Sequence, residues 1–116
     1  MRVLLVDDER DVRFLLRISI DDRCGDVDEI EEAANGFEAV EKVTSLRPDV
    51  VVMDLRMPVM DGVEATKRIK EVSPDTDVVV YSASSEQMAD AQAAGASDGF
   101  MKGDIEGLCQ YICPAS

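Results

Sequence analysis

Short apolar runs recur along the chain, and each is followed by a longer amphipathic segment. The runs Val50–Met53 and Val78–Tyr81 are rich in valine, which is typical of strands that are buried on both faces. Such strands occur almost only in parallel sheets that are covered by helices on both sides. This alternation constrains the chain to an α/β architecture more strongly than any other feature of the sequence.

Five strand–helix units follow one another within 116 residues, a length that predicts a single domain spanning residues 1–116. The predicted strands are Arg2–Val6, Val27–Ala33, Val50–Met53, Val78–Tyr81 and Ser97–Met101. The predicted helices are Glu9–Ile20, Phe37–Leu46, Gly62–Val72, Glu86–Ala94 and Ile105–Cys113. Because crossovers between parallel strands are right-handed, we expect a doubly wound parallel sheet in a three-layer αβα sandwich.

Helical periodicity predicts which helix faces are buried. In the first helix the predicted buried stripe is Val12, Leu15, Leu16 and Ser19. In the second helix it is Phe37, Val40 and Val43.

The charge balance excludes several classes of function. Twelve Lys and Arg face 25 Asp and Glu, which gives 12 − 25 = −13, and histidine is absent. A negative field repels phosphate backbones and anionic lipid, so we expect neither a nucleic-acid nor a membrane partner. Without histidine, the chain has no Ser-His or Cys-His nucleophile pair and no His-ligated zinc.

The apolar runs are too short to span a membrane, and no signal peptide is visible, which favours a cytoplasmic protein. Three widely spaced cysteines do not suggest a disulfide framework, and we expect a reducing compartment. Cys109 and Cys113, one helical turn apart, are expected to be buried small hydrophobic residues.

Polar side chains follow the predicted strands at the points where the strands end. Asp7 and Asp8 follow the first strand, Asp54 the third, Ser82 the fourth and Lys102 the fifth. Taken singly, each is better explained as a helix cap, a loop hydroxyl or a surface charge. The carboxyl ends of parallel strands share one edge, however, so these groups should converge. Three neighbouring carboxylates require raised pKa values or a cation, and oxygen ligands suit Mg²⁺.

A carboxylate in such a site can act as a nucleophile and form an acyl phosphate. This chemistry needs charge neutralisation on the phosphoryl oxygens, which a divalent cation, an ammonium and a hydroxyl would supply. Asp54 is the best candidate nucleophile because it ends the central buried strand.

The segment Leu46–Gly62, LRPDVVVMDLRMPVMDG, resembles the receiver domain of two-component response regulators, the CheY-like family. Further matching stretches are Val6–Asp8, Ala33–Val40, Tyr81–Ala83 and Ala94–Lys102, so the resemblance covers essentially the whole chain. It implies a flavodoxin-like five-stranded sheet of order 2-1-3-4-5. This is one of the two common strand orders of doubly wound folds, and it is already known for a member of this family.

The resemblance also implies residue roles. Asp54 would be the phosphoacceptor, Lys102 would pair with the phosphoryl group, and Ser82 would move towards it. Mg²⁺ or Mn²⁺ would be bound by Asp8 directly, by Asp7 mostly through water, by Asp54 and by the backbone carbonyl of Arg56. The implied function is a phosphorylation-dependent switch with slow autodephosphorylation, which is not a conventional enzyme activity.

The implied partners are a histidine kinase or a histidine phosphotransfer protein, and a downstream output protein or a fused output domain. Since the chain has no histidine, its phosphoryl donor must be another molecule. Phe14 and Ile18, one turn apart, are predicted to form an exposed apolar patch for a helical kinase domain, with a half-buried core position as the alternative.

Two positions depart from the family pattern. Gly99 replaces the usual Tyr or Phe three residues before Lys102, and Gly103 replaces the common Pro after it. Gly99 gives some support to an alternative function, a receiver-like interaction module that never uses phosphate.

Two other functions are less well supported. An aspartyl phosphatase of the haloacid dehalogenase type needs a second Asp where Arg56 stands. A flavodoxin needs a hydroxyl- and glycine-rich phosphate loop after the first strand, where this chain has the acidic stretch 7–11.

Overall fold

The computed structural model describes residues 1–114. The strands are β1 (Arg2–Val6), β2 (Glu29–Ala33), β3 (Val50–Met53), β4 (Asp77–Ser82) and β5 (Asp98–Met101). The helices are α1 (Arg10–Arg23), α2 (Gly36–Leu46), α3 (Gly62–Val72), α4 (Met88–Ala93) and α5 (Ile105–Ile112). All neighbouring strands pair in parallel, in the order β2-β1-β3-β4-β5. The predicted flavodoxin-like fold and strand order are confirmed.

The register of the sheet determines which side chains meet at its carboxyl edge. Val6 is paired with Met53 across β1 and β3, so the next residues, Asp7 and Asp54, leave the sheet side by side. The backbone continues this alignment, since the Asp54 N–H donates to the Val6 carbonyl at 2.9 Å. The two aspartates are therefore neighbours because of strand pairing.

Two apolar cores lie on the two faces of the sheet. One contains Leu4, Val51 and Val78 with side chains from α2, α3 and α4. The other contains Val3, Leu5 and Val52 with side chains from α1 and α5. Because successive strand residues point to opposite faces, both faces of the central strands carry buried side chains, as their unbroken apolar runs predicted.

The predicted buried faces of α1 and α2 are partly wrong. In α1 the buried residues are Leu16 and Ile20, spaced by one turn, whereas Leu15 is 51% exposed. Phe37 at the start of α2 is 49% exposed, and Ala39 is buried in its place. Each residue of a helix is rotated by about 100° relative to the one before it. If the predicted buried face is displaced by one residue, a large side chain that was expected in the core lies on the outer face.

The expectation that the cysteines form no disulfide is also wrong. Cys24 and Cys113 are joined by a disulfide, with their Cα atoms 5.7 Å apart. They are the C-terminal caps of α1 and α5, which pack in the same core and end at the same place. Cys109 is a free, buried thiol, as expected. The cysteines therefore no longer support the expectation of a reducing compartment.

Candidate functional site

Four of the five side chains predicted to converge, those of Asp7, Asp8, Asp54 and Lys102, are brought together at the carboxyl edge of the sheet. One oxygen from each of Asp7, Asp8 and Asp54 lies within 4.8 Å of the others. Lys102 reaches the same group, with its Nζ 2.9 Å from Oδ2 of Asp7 and 3.6 Å from Oδ2 of Asp54. Asp7 and Asp54 are only 2% and 4% exposed, whereas Asp8 is exposed.

The proton affinity of the Asp54 carboxyl departs far from its ordinary value. Its pKa is raised from 3.8 to about 6. Burial is the largest cause, and the neighbouring charges of Asp7 and Asp8 add to it, whereas the Lys102 ammonium and a backbone hydrogen bond from Arg56 oppose it. Ionised Asp54 is consequently a destabilised anion, which favours any partner that neutralises its charge.

Lys102 is held in place by both its backbone and its side chain. Its backbone N–H donates to the Ser82 carbonyl at 2.7 Å, which ties the end of β5 to the end of β4. Burial by itself lowers the pKa of the ammonium, but the hydrogen bond to Asp7 and the charges of Asp54 and Asp7 outweigh it and raise the pKa. Lys102 thus remains charged beside the two buried carboxylates.

Ser82 is almost completely buried at the end of β4, with 1% of its surface exposed. Its Oγ accepts a hydrogen bond of 3.3 Å from the backbone N–H of Ser84, at the beginning of the loop that leads to α4. The hydroxyl is therefore coupled to the loop that connects the site with α4.

Arg56 lies on the rim of the site. Its side chain is exposed and pairs with Glu86 at 3.1 Å. The pair borders an open cavity of about 450 Å³ that is also lined by Leu55, Met57 and Asp61. The assignment of its backbone carbonyl as a metal ligand stays a prediction.

Gly62 allows α3 to begin directly beside Asp54. A Cβ at this position would lie 2.1 Å from the Asp54 carbonyl oxygen and 2.7 Å from the Leu55 Cα. Asp61 caps the helix by accepting a hydrogen bond from the Glu64 N–H at 2.9 Å. The Asp-Gly step in the sequence is thus explained by close backbone packing and by a helix cap.

Both departures from the family pattern have a local structural explanation. A Cβ at Gly99 would lie 2.4 Å from Sδ of Met88, so the methionine of α4 fills the space beside this strand position. Gly103 has φ +105°, and its N–H donates to the Tyr81 hydroxyl at 2.9 Å. Proline permits neither that φ value nor that hydrogen bond.

Sequence reasoning missed residues that support the site from outside. Arg13 donates to the Asp7 carbonyl at 2.6 Å, Glu86 pairs with Arg56, and Met88 lies against Gly99. None of these contacts is marked by a motif, because each depends on how a helix or loop packs beside the sheet.

The donor set fits Mg²⁺. Three carboxylates carry three negative charges when ionised and Lys102 carries one positive charge, so the group keeps 3 − 1 = 2 uncompensated negative charges. A divalent cation balances them, and carboxylate oxygens are the ligands that Mg²⁺ prefers. The raised pKa of Asp54, which burial causes first and the charges of Asp7 and Asp8 increase, also favours a bound cation.

Residues 3–112 match the family described as the response regulator receiver domain. Chemotaxis protein CheY of Thermotoga maritima is 42% identical over 103 residues, which cover 87% of this chain and 84% of that protein. Protein-glutamate methylesterase/protein-glutamine glutaminase 3 of Hahella chejuensis is 50% identical over 84 residues, covering 72% of this chain but only 23% of that protein.

Solved structures show the same similarity. The response regulator TrrA of Thermotoga maritima, crystallised in complex with Mg²⁺-BeF, has a TM-score of 0.86 and 30% sequence identity. The alignment covers 96% of this chain and 95% of TrrA. The response regulator domain of Thermotoga maritima CheB has a TM-score of 0.84 and 33% identity, over 97% of this chain and 90% of that one.

Proposed function

Because the chain belongs to the response regulator receiver domain family of two-component signalling, we propose that it is a phosphorylation-dependent switch whose phosphoacceptor is Asp54. Receiver domains bind Mg²⁺ in an acidic pocket and interact with histidine kinases and output domains. The observation that carries the proposal is the buried Asp54 carboxylate, with Asp7, Asp8 and Lys102 around it.

The position of these groups supports the following transfer. An oxygen of ionised Asp54 attacks the phosphorus of a phosphohistidine donor, the new O–P bond forms as the P–N bond breaks, and the imidazole nitrogen keeps the electron pair and takes up a proton. Lys102 lies 3.6 Å from the Asp54 carboxylate and can pair with a phosphoryl oxygen. The Ser82 hydroxyl donates to another oxygen.

Asp7, Asp8, Asp54 and the Arg56 carbonyl would hold Mg²⁺ or Mn²⁺. The cation, when bound, supplies charge neutralisation on the phosphoryl oxygens. The phosphoryl group adds about −1.5 to −2 charges at neutral pH. That charge draws Ser82 from its bond with Ser84 and so changes the loop that precedes α4. Water reaching the acyl phosphate past Arg56 and Glu86 ends the signal by slow autodephosphorylation.

Partner recognition is proposed for α1. Phe14 and Ile18 are 62% and 50% exposed and belong to neither core, which supports an exposed patch rather than a core position, and Leu15 extends the apolar surface. We assign this surface to the helical domain of a histidine kinase or histidine phosphotransfer protein. The output is a separate protein or a fused domain. The net charge of −13 argues against binding of nucleic acid by residues 1–116.

A cytoplasmic location is part of the proposal because the chain belongs to the response regulator receiver domain family. The Cys24–Cys113 disulfide would then be an exception to the rule that disulfides are rare in that compartment. Within residues 1–114, every helix is too short or too polar to cross a membrane.

The decisive experiment is incubation of the protein with acetyl phosphate and Mg²⁺, followed by intact mass spectrometry. The wild type should gain the mass of one phosphoryl group, and Asp54→Asn should gain none. Asp75→Asn is the matched control, because it removes an exposed carboxyl of the same type. A wild type that stays unmodified, or an Asp54→Asn variant that is still modified, would contradict the proposal.

A phosphate-independent interaction module is the second candidate, and Gly99 is the observation that favours it. Because residue 99 is glycine, β5 has no side chain of its own at this position, and Met88 of α4 occupies the space beside it. If partner binding is the same for the wild type, the phosphorylated wild type and Asp54→Asn, this second function is correct.

A further inference from the structure

Two arginines of α1 bind the same carboxylate but different backbone carbonyls. Arg13 and Arg17 donate through Nε to the two oxygens of Glu32 on β2, each at 2.9 Å. Through a second nitrogen, Arg13 donates to the Asp7 carbonyl at 2.6 Å, whereas Arg17 donates to the Ile30 carbonyl at 2.8 Å. One arginine is thus connected to the acidic site and the other to the middle of an edge strand.

The Asp7 carbonyl belongs to the peptide that joins Asp7 to Asp8. Its orientation helps to determine where both side chains point, because the plane of that peptide fixes the backbone on either side. The other polar groups of Asp7 are already engaged: its N–H with Ala33 at 3.2 Å, Oδ1 with the Glu9 N–H at 2.9 Å, and Oδ2 with Lys102 at 2.9 Å. Arg13 supplies the remaining contact.

The Arg13 side chain is well placed to act as a rigid support. It is 14% exposed, compared with 41% for Arg17, and it is held at the other end by Glu32. The hydrogen bonds from Arg13 and Arg17 outweigh the effect of burial and lower the pKa of Glu32, so this carboxylate stays ionised and keeps both guanidinium groups in place.

We propose that Arg13 is a positioning residue that orients the Asp7–Asp8 peptide for binding of the divalent cation. The inference rests on the proposed function, since it assumes that these carboxylates bind Mg²⁺. Groups one shell outside a metal typically change its affinity by about 10- to 100-fold when they are removed. Arg13 acts through the backbone of its ligand residues and touches neither cation nor phosphoryl group.

The test compares Arg13→Ala with Arg17→Ala by calorimetric titration with Mg²⁺ alone and by the rise in melting temperature that Mg²⁺ causes. Both variants lose one ion pair with Glu32. If Arg13 only stabilises the fold, both variants should have a lower melting temperature without metal, and Mg²⁺ binding should be weakened equally in the two. The proposal expects an affinity loss of about tenfold or more for Arg13→Ala and less than about twofold for Arg17→Ala. Arg13→Lys, which retains a donor for the Asp7 carbonyl, should recover part of the affinity.

Equal affinities of the two alanine variants would overturn the role of Arg13, while Mg²⁺ binding by the wild type would leave the proposed function intact. Should Arg13→Ala not fold, the same comparison is made with Arg13→Met and Arg17→Met, which keep the apolar stem but have no donor for the carbonyls, and equal affinities of that pair likewise refute the proposal. If the wild type itself shows no binding of Mg²⁺, it is the proposed function that fails.

Discussion

Replacement of Asp54 by asparagine should stabilise the metal-free protein at neutral and alkaline pH. The substitution keeps the shape of the side chain and its capacity to accept hydrogen bonds, but it removes a charge that the fold disfavours. The pKa of Asp54 rises from 3.8 to about 6 on folding, and each pKa unit corresponds to about 1.4 kcal/mol. The ionised wild type therefore loses about 3 kcal/mol of stability, which the variant retains.

The sign and the pH range follow from the raised pKa. Well below the ordinary pKa of 3.8 the carboxyl of Asp54 is protonated in both the folded and the unfolded chain, so pH should affect the stability of the wild type and of the Asp54→Asn variant equally. Between pH 4 and 6 the folded wild type still holds a proton that the unfolded chain has released, and its stability falls relative to the variant as pH rises. Above about pH 6 the difference is complete and constant.

Urea unfolding at a series of pH values, with a chelator present, measures this difference. We expect Asp54→Asn to exceed the wild type by about 2–3 kcal/mol at pH 8 and to match it near pH 3.5. Asp75→Asn, at an exposed position, should stay within about 0.5 kcal/mol of the wild type throughout. Addition of Mg²⁺ should narrow the gap at pH 8, because the cation neutralises the wild-type cluster. A gap that is absent at pH 8, or is the same at both pH values, would refute the electrostatic explanation.

Three further outcomes are expected. Reduction of the Cys24–Cys113 disulfide, which closes a sequence separation of 89 residues, should lower the free energy of unfolding by about 3–4 kcal/mol. The control Cys109→Ser should respond to reductant like the wild type. A wild-type melting temperature that reductant leaves unchanged would contradict the prediction. Gly62→Ala forces a Cβ against the Asp54 carbonyl and should abolish phosphorylation by acetyl phosphate; full phosphorylation would show that α3 can move away. The net charge of −13 should make the melting temperature rise with NaCl concentration, and a fall would mean that ion pairs outweigh self-repulsion.

Much of the candidate site was accessible from the sequence because its residues are attached to strand ends. Once the apolar runs predict parallel strands, Asp7, Asp54, Ser82 and Lys102 must leave the same edge of the sheet. The pattern is local, since each side chain needs only its own strand to be identified. The strand bounds of β1 and β3 agree with the prediction for the same reason.

Helix faces were less predictable. Helical periodicity predicts that Leu15 and Phe37 lie on buried stripes, yet both are about half exposed. The period of 3.6 residues distinguishes faces only when the apolar residues are few and evenly spaced, and α1 carries apolar residues on more than one side. The packing of α1 against the sheet decides which of them is covered.

The sequence by itself determined the order of strands and helices, the edge at which the charged residues meet and the acidity of the surface, because these depend on patterns within single elements. Only the tertiary structure decided that Cys24 meets Cys113, that Arg13 rather than Arg17 contacts Asp7, and that Met88 fills the space beside Gly99. Each of these contacts depends on how a helix packs against the sheet or against another helix, and such packing leaves no periodic trace in the chain, whether the partners are six residues apart, as for Arg13 and Asp7, or 89, as for the two cysteines.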